Sequence, residues 1–251
     1  MVQGNVAAEA RLRWLTATLG ESGSVTISDA AAALGVSEMT IRRDLTELED
    51  RGAARRVRGG ALPLGPHTFA ERHQRRTRAK AQIATKLAAL LPTAGIVAFD
   101  ASSTVMRLTA ALTTARDLTI VTNGPETFAA LEGQPGVTGI LTGGQLDPRT
   151  GSLVGPIACR SAVQLTARCF IASAAGVDVE HGATEATLEE AEVKRVLATS
   201  ADEVILAVDS SKLEKPAGAV SLEWVNVDVL VTELDPKDKR LRALRRLVRV
   251  I

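Results

Sequence analysis

From residue 95 onward the sequence repeats one pattern: a short apolar run, a small or polar cluster, then a stretch with helical spacing. Runs at 95–99, 118–121, 137–141, 169–172, 204–208 and 227–231 read as strands, and the segments 103–112, 125–131 and 186–199 read as helices. Short runs rich in Val, Ile and Leu, alternating with helical stretches, are what a parallel sheet covered on both faces demands. The pattern predicts a mainly parallel α/β domain. Four of the runs end in polar clusters, at 100–104, 122–124, 142–144 and 209–212. In open α/β sheets ligands bind at the carboxyl ends of the strands. Ser102, Ser103 and Thr104 fall where the helix at 103–112 opens. Amides and hydroxyls there suit an anion, most naturally a phosphate, with Lys212 adding charge. Any single cluster could equally be an ordinary cap; the convergence of four favours a pocket.

The first fifty residues carry a different pattern. Residues 8–19 place Leu12, Leu15 and Leu19 on one helical face with Trp14 nearby, and Gly20 and Gly23 end that helix. Ser28 is a candidate N-cap for a second helix at 30–34, stopped by Gly35; Ser37 caps a third, running to about Asp50 with Gly52 at its end. Two helices joined by a glycine turn and followed by a capped helix form a helix-turn-helix pattern. On the third helix Ile41, Leu45 and Leu48 face the core. Met39, Thr40, Arg43, Thr46 and Glu47 face away, with Arg42 on the flank. A helix in the major groove would offer those residues to bases and phosphates, and Arg43 has the guanidinium that bidentate pairing to guanine needs. Residues 53–62, with Arg55, Arg56 and Arg58 before Gly59 and Gly60, read as a basic hairpin, a wing along the phosphate backbone.

Charge divides along the same line. Residues 51–80 hold nine bases and one acid, residues 81–236 hold 10 bases and 19 acids, and the last 15 residues hold seven bases and one acid, within a net charge of +1. A basic head on an acidic body implies that only part of the chain meets a polyanion. Aromatic residues are 2% of the chain, with no tyrosine, which excludes base-stacking platforms. No apolar run approaches the roughly 18 residues of a membrane span, and no signal segment opens the chain, so a cytoplasmic location is expected. Cys159 and Cys169 are too few for a disulfide framework or a four-cysteine zinc site. His67, His73 and His181 lack ligand spacing, and phosphate-loop, zinc-protease and nucleophile-elbow motifs are missing. No metal or cofactor is expected. Arginines between 72 and 78 either touch DNA flanks or solvate an inter-domain helix, the second reading being favoured. The tail, with Leu241, Leu244 and Val248 among arginines, reads as an amphipathic helix.

The run Val36-Ser37-Glu38-Met39-Thr40-Ile41-Arg42-Arg43-Asp44-Leu45, followed by Leu48-Glu49, Gly52, Arg56 and Gly59-Gly60-Ala61, resembles the signature of the DeoR family of bacterial transcriptional regulators. The resemblance continues through Asp100–Thr104, Thr122-Asn123, Gly143-Gly144, Gly176–Asp178 with Gly182–Thr184, Glu192-Val193-Lys194 and Asp209–Lys212, so it covers almost the whole chain. Ser102 departs from it, standing where the family usually has glycine. The resemblance implies a winged helix-turn-helix that binds operator DNA. It also implies a body similar in fold to ribose-5-phosphate isomerase and CoA-transferase-like proteins, which senses phosphorylated sugars or related metabolites.

The expected organisation is a winged helix-turn-helix at 1–63, a linker at 64–79 and an α/β effector-sensing and oligomerisation domain at 80–251. Ser37, Thr40, Arg42, Arg43, Arg56 and Arg58 are candidate DNA contacts. Asp100, Ser102, Ser103, Thr104, Thr122, Asn123, Gly143, Gly144, Asp178, Glu192, Lys194 and Lys212 are candidate effector contacts. The expected function is a DNA-binding repressor of a carbohydrate-metabolism operon, without catalytic residues, modulated by a phosphorylated sugar and acting as a dimer or tetramer. A sugar-phosphate isomerase or transferase with an accessory DNA-binding head is the alternative; a third reading makes the body an effector-blind oligomerisation domain.

Overall fold

A computed structural model describes residues 2–51, 53–63 and 68–251, in two compact units, Met1–His67 and Thr68–Ile251. Gly52 and the linker residues 64–67, which include Gly65, Pro66 and His67, lie outside the described residues.

The first unit is α1 (Val2–Ser22), β1 (Val25–Thr26), α2 (Ile27–Leu34), α3 (Glu38–Asp50), β2 (Ala54–Val57) and β3 (Gly60–Pro63). Leu12, Leu15 and Leu19 of α1 pack with Ile41, Leu45 and Leu48 of α3 in one core. α1 continues through Gly20 and stops only before Gly23. Thr26, not Ser28, caps α2: its hydroxyl accepts the Asp29 amide at 3.1 Å, so the helix starts at Ile27. Gly35 ends α2 in the left-handed region, and Ser37 caps α3. The three strands form an antiparallel sheet in the order β1-β3-β2, with Val57 paired to Gly60 across the turn at Arg58-Gly59. Gly60 is fixed by space: a Cβ there would lie 2.0 Å from the carbonyl oxygen of Val25. Asp44, between the exposed arginines and the core, is buried and receives Arg11 of α1 in a two-pronged pair at 2.7 and 3.1 Å.

The second unit opens with α4 (Phe69–Gln74) and α5 (Thr77–Ala88). It continues through β4 (Ala94–Phe99), β5 (Asp117–Thr122), α6 (Pro125–Ala129), β6 (Val137–Leu141), β7 (Gln145–Leu146), β8 (Leu153–Val154), α7 (Pro156–Ala162) and β9 (Cys169–Ala172). Then come β10 (Gly176–Asp178), β11 (Gly182–Glu185), α8 (Leu188–Thr199), β12 (Val204–Ala207), β13 (Ala219–Leu222), β14 (Val229–Val231) and β15 (Arg249–Val250). Seven strands form one parallel sheet in the order β15-β14-β12-β9-β4-β5-β6. Successive residues of its strands face opposite covers. Ala98, Phe170, Leu206 and Leu230 pack with Val193 and Leu197 of α8. Val97, Phe99, Ile171, Ile205 and Val229 pack with Ile83 and Leu87 of α5. The chain runs outward from β4 through β5 to β6, then crosses to the other side of β4 and continues through β9. The carboxyl ends of β4 and β9 are therefore a topological switch point.

Four segments differ from expectation. The helix expected at 103–112 is a turn followed by a 3-10 helix at Met106–Ala111, with the Ser102 hydroxyl accepting the Val105 amide in the turn. Residues 176–178 leave the parallel sheet for a second, antiparallel one, β10-β11-β13. The tail is two 3-10 turns ending in β15, with Leu241, Leu244 and Val248 buried as expected but on no continuous helix. Residues 68–79, expected as part of a linker, form α4 and the start of α5 within the second unit.

Asp44→Ala would leave Arg11, 20% exposed, without its carboxylate. The expected loss is about 2–4 kcal/mol of stability in the first unit, read by denaturant unfolding, with the second unit's transition unchanged.

Candidate functional site

The first unit presents two surfaces of interest. On α3, Met39, Arg42 and Arg43 are exposed and Thr40 half-buried. The Ser37 hydroxyl accepts the Thr40 amide at 3.2 Å and meets the Thr40 hydroxyl at 3.0 Å, so both help to start the helix. Arg42 pairs with Glu38 one turn back at 3.0 Å. In the β2–β3 hairpin, Arg56 turns onto α3, donating to the Thr46 hydroxyl at 2.9 Å, while its amide donates to Glu49 at 2.9 Å. Arg43 and Arg58 are exposed and make no ion pair or side-chain hydrogen bond with any described residue. Two guanidiniums are thus uncommitted on one helix face and one hairpin tip.

In the second unit β4, β5, β6 and β12 are parallel members of one sheet, so their polar ends share an edge. Asp100 follows β4. One of its carboxylate oxygens accepts the Ser102 amide at 3.0 Å and the other the Ser173 amide at 2.7 Å, tying the end of β4 to the end of β9. Lys194, buried on α8, donates to Asp100 at 2.9 Å, to Glu185 at 2.5 Å and to the Ser173 carbonyl at 2.6 Å. Burial works against the Lys194 charge, but the carboxylates of Asp100, Glu185 and Glu190 outweigh it and raise the pKa above the ordinary lysine value. Burial pushes Glu185 up to about 7 against the pull of Lys194.

Ser102, Ser103 and Thr104 are buried beside this cluster. Ser102 accepts the Val105 amide at 3.1 Å, so the serine at the atypical position supplies a turn bond. Residues 102–105 form a turn, and the helix that follows, from Met106, is 3-10 rather than the α-helix expected. Thr122 accepts the Gly124 amide at 3.0 Å. Asn123 donates to the Leu153 carbonyl at 3.0 Å and leaves its own Oδ1 buried without a partner, as is the Thr127 hydroxyl. Gly143 and Gly144 follow β6; Gly144 has φ 123° and lies where a Cβ would be 2.7 Å from the Val154 carbonyl oxygen.

The segment just before α5 completes the edge. Lys80 is buried and donates to the Ser103 hydroxyl at 2.9 Å and to the Arg72 carbonyl. Arg72 reaches the Thr150 carbonyl at 2.5 Å, and Arg107 reaches the His73 carbonyl at 2.8 Å. Arg76, in the left-handed region at φ 53°, binds Ser210 and Glu233, each at 2.8 Å. Burial lowers the Lys80 pKa to about 8, Asp209 opposing and Lys212, Arg107 and Arg72 adding to the fall. Lys212 is lowered by burial as well, and it feels Asp209, Glu185, Arg75 and Arg72. His73 is lowered by burial and by Arg107 and Lys80. Arg72 Nε, Arg107 Nε and His73 Nδ1 are buried without partners. Arg72 and Arg76 thus fold back onto residues of their own unit, at Thr150, Ser210 and Glu233.

Residues 75–234 match the family model described as the DeoR C terminal sensor domain, and residues 11–64 match the DeoR-like helix-turn-helix domain. The chain belongs to the DeoR family. This DeoR-family protein is 31% identical to the HTH-type transcriptional regulator GolR of Listeria innocua, over 86% of each chain. It is 30% identical to the deoxyribose operon repressor of Escherichia coli, over 93% of this chain and 94% of the other. Among solved structures it is similar to ribose 5 phosphate isomerase A from Neisseria gonorrhoeae, with a TM-score of 0.38 and 14% identity over 53% of this chain and 52% of that one. The chain is a DNA-binding transcriptional regulator with a C-terminal sensor domain.

Within this DeoR regulator two expected effector contacts stand apart from the strand-end cluster. Asp178 closes the β10–β11 turn: its carboxylate accepts the Glu180 and His181 amides at 2.9 and 2.6 Å and faces the His181 ring at 3.1 Å. Glu192 lies on the outer face of α8, paired with Arg195 at 2.7 Å, while Lys194 two residues on faces inward. Arg72 and Lys80 were missed because they sit in a stretch that reads as solvated from charge alone, and Arg107 because it is a lone charge within the apolar segment 103–112. The one available signal was Lys80 itself, on the same helical face as Ile83, Ala84 and Leu87, which are buried with it.

Lys194→Met would leave Asp100, Glu185 and Glu190 without their shared cation. The expected cost is roughly 3–5 kcal/mol at pH 7. Glu185, already raised by burial, then loses the pull of Lys194 and takes up its proton more readily in the folded state, so part of the loss is recovered as pH falls toward 5. Urea unfolding at the two pH values checks both.

Proposed function

We propose that this regulator represses a carbohydrate-metabolism operon, and that a phosphorylated sugar or related phosphometabolite at the sheet's carboxyl edge sets its operator affinity. The observation that carries the reading is the cationic group of Lys80, Lys212, Arg72 and Arg107 at the edge of an otherwise acidic unit. Buried acceptors without partners, Asn123 Oδ1 and Thr127 Oγ1, suit sugar hydroxyls. The name of the deoxyribose operon repressor, a full-length relative, points the same way. The phosphate belongs with the lysines and arginines, and Ser103 with them through Lys80. Asp100 and Lys194 neutralise each other beneath the edge, which supports sensing over acid-base chemistry. The protein is accordingly read as a non-enzyme, and purified protein should not turn over ribose 5-phosphate.

Operator contacts are proposed at Arg43 and Arg58, with Ser37, Thr40, Arg42 and Arg56 at the rim of the same surface. One winged head reads few base pairs, so the regulator is proposed to work as a homo-oligomer on repeated half-sites. Its place is proposed to be the cytoplasm; among the described residues no helix is long and apolar enough to cross a membrane.

Arg43→Ala should cost about 1–3 kcal/mol at the specific site and relax its sequence preference, whereas Arg58→Ala should weaken all DNA alike and reduce the salt slope. Electrophoretic shifts on specific and scrambled duplexes at several salt concentrations distinguish the two; unchanged affinity in a folded Arg43→Ala protein would remove α3 from the groove.

Calorimetry with phosphosugars and their free sugars tests the sensor. Binding should require the phosphate, and Lys212→Ala should weaken it on the order of tenfold while leaving ligand-free DNA binding near normal. Affinity should also depend on pH with a definite sign. Below about 8 Lys80 is charged before and after binding, and affinity is flat. Above that, binding must take up a proton, so affinity falls by up to roughly tenfold per pH unit. Lys80→Met should flatten that slope, leaving only what Lys212, also lowered by burial, contributes. Equal binding of the free sugar, or a slope unchanged in Lys80→Met, would overturn the assignment.

A further inference from the structure

Helix α4 is joined to the strand-end edge by polar bonds and buries none of its six side chains. The Phe69 ring stacks on His73 of the same helix, 6.1 Å between centroids, and carries the Arg72 guanidinium at 5.6 Å. The one large apolar side chain of α4 thus orients the helix's own polar groups. Three cations make the attachment. Arg72 donates to the Thr150 carbonyl at 2.5 Å, Arg107 to the His73 carbonyl at 2.8 Å, and Lys80 to the Arg72 carbonyl. The loop that receives Arg72 is firm: the Thr150 and Ser152 hydroxyls meet at 2.8 Å, and Ser152 donates to Glu190 of α8 at 3.0 Å. A segment held by a few hydrogen bonds and no buried apolar side chain opens at low cost.

Docked in this way, α4 leaves charge unanswered. Each of those acceptors is a neutral carbonyl, and none of the three cations has a carboxylate at ion-pair distance among the described residues. Arg72 Nε, Arg107 Nε and His73 Nδ1 are buried without partners. A buried donor that lacks an acceptor costs free energy, so the docked position is penalised until an acceptor arrives. A phosphate dianion is that acceptor. It can take the Nε of Arg72 and of Arg107 without breaking a present bond, because both guanidiniums reach their carbonyls through Nη2. Hydrogen bonds between two charged groups are also roughly twice as strong as neutral ones. The two ends of α4 suit it to move as a body. Arg76 follows it in the left-handed region, anchored to Ser210 and Glu233, while Thr68 and Glu71 close the other end in a capping box internal to the helix.

We propose that α4 is a strap that swings about residues 75–76 and closes when a phosphate seats between Arg72 and Arg107, a device that rests on the phosphate site proposed above. The strap begins directly after the winged unit, which ends at His67, so its closure acts on the chain that carries the DNA-binding part.

Hydrogen exchange on the full-length protein tests this, with inorganic phosphate as the probe and chloride at matched ionic strength as the control. Phosphate should slow the amides of residues 69–76 by roughly tenfold or more and leave those of α3 unchanged. A covalent closure gives a second measurement. A Cβ at Gly151 would lie 3.5 Å from that of Phe69, within the span of a disulfide. In Phe69→Cys/Gly151→Cys the oxidised protein should bind phosphate roughly two- to tenfold tighter than the reduced protein, because it no longer divides its time between open and closed. Cysteine is strained at 151, where φ is 73°; if the double variant does not fold, exchange in wild type decides alone. Phosphate binding by calorimetry with unchanged exchange at 69–76, or weaker binding after oxidation, would overturn the strap and leave the phosphate site standing. No binding of phosphate or of any phosphosugar would overturn both.

Discussion

The ammonium group of Lys194 holds the switch point of the sensor sheet together. Strands β4 and β9 diverge there in connection, and nothing in a parallel ladder ties their ends beyond the last backbone bond. Asp100 spans the gap by accepting amides from both sides, at Ser102 and Ser173, and Lys194 supplies the positive charge that makes a buried carboxylate tolerable. The same lysine fixes Glu185 at the end of β11, so it joins the antiparallel sheet to the parallel one. A buried charge needs partners on every side. Here each partner is the terminus of a different strand, which is why one side chain can set the positions of several loops.

The same requirement bears on the proposal that this site senses and does not react. Asp100 and Lys194 have the chemistry of an acid-base pair, but their lone pairs and protons are spent on each other and on backbone amides. The groups left with unmet capacity lie higher on the edge: Lys212, the partnerless nitrogens of Arg72 and Arg107, and the acceptors of Asn123 and Thr127. Arg72 and Lys80 belong to the stretch that leads from the winged domain into the sheet. On the proposed reading, a ligand engaging them would act on the chain segment connecting the two functions. It can alter DNA binding only as far as it binds one arrangement of that segment better than another.

The parallel sheet was legible because period and punctuation agree: the runs at 137–141 and 169–172 match β6 and β9 residue for residue. Ser37 and Gly35 were legible as caps because their chemistry is local. What sequence pattern could not give was partnership across distance. Glu192 and Lys194 share one motif two residues apart, and helical geometry sends one to solvent and the other into the core. Asp44 sits beside two exposed arginines, and only the position of Arg11 on α1, 33 residues away, makes it structural. At 102–105 the Ser102 hydroxyl bonds the amide three residues on as the Ser37 cap does, yet the chain closes into a 3-10 helix from Met106, and the residue pattern does not distinguish the two outcomes.

On the reading proposed above, the chain meets two anions by two physical routes. The guanidiniums of Arg43, proposed to read a base, and Arg58, proposed to meet a phosphate, stand in water, where a phosphate contact is screened by salt and gains chiefly by releasing counterions. Lys80 and Lys212 are partly stripped of water before any ligand arrives, which is what lowers their pKa values. That desolvation is a cost in the empty protein, borne by the ion pairs beneath it, and a compact dianion recovers it on binding because the field between buried charges is little screened. The acidic remainder of the unit repels a polyanion but not one phosphate seated in this local field. On the same reading, keeping the two kinds of cation on separate units, one in water and one partly stripped of it, would let one chain hold DNA loosely enough to release it and a metabolite tightly enough to notice it.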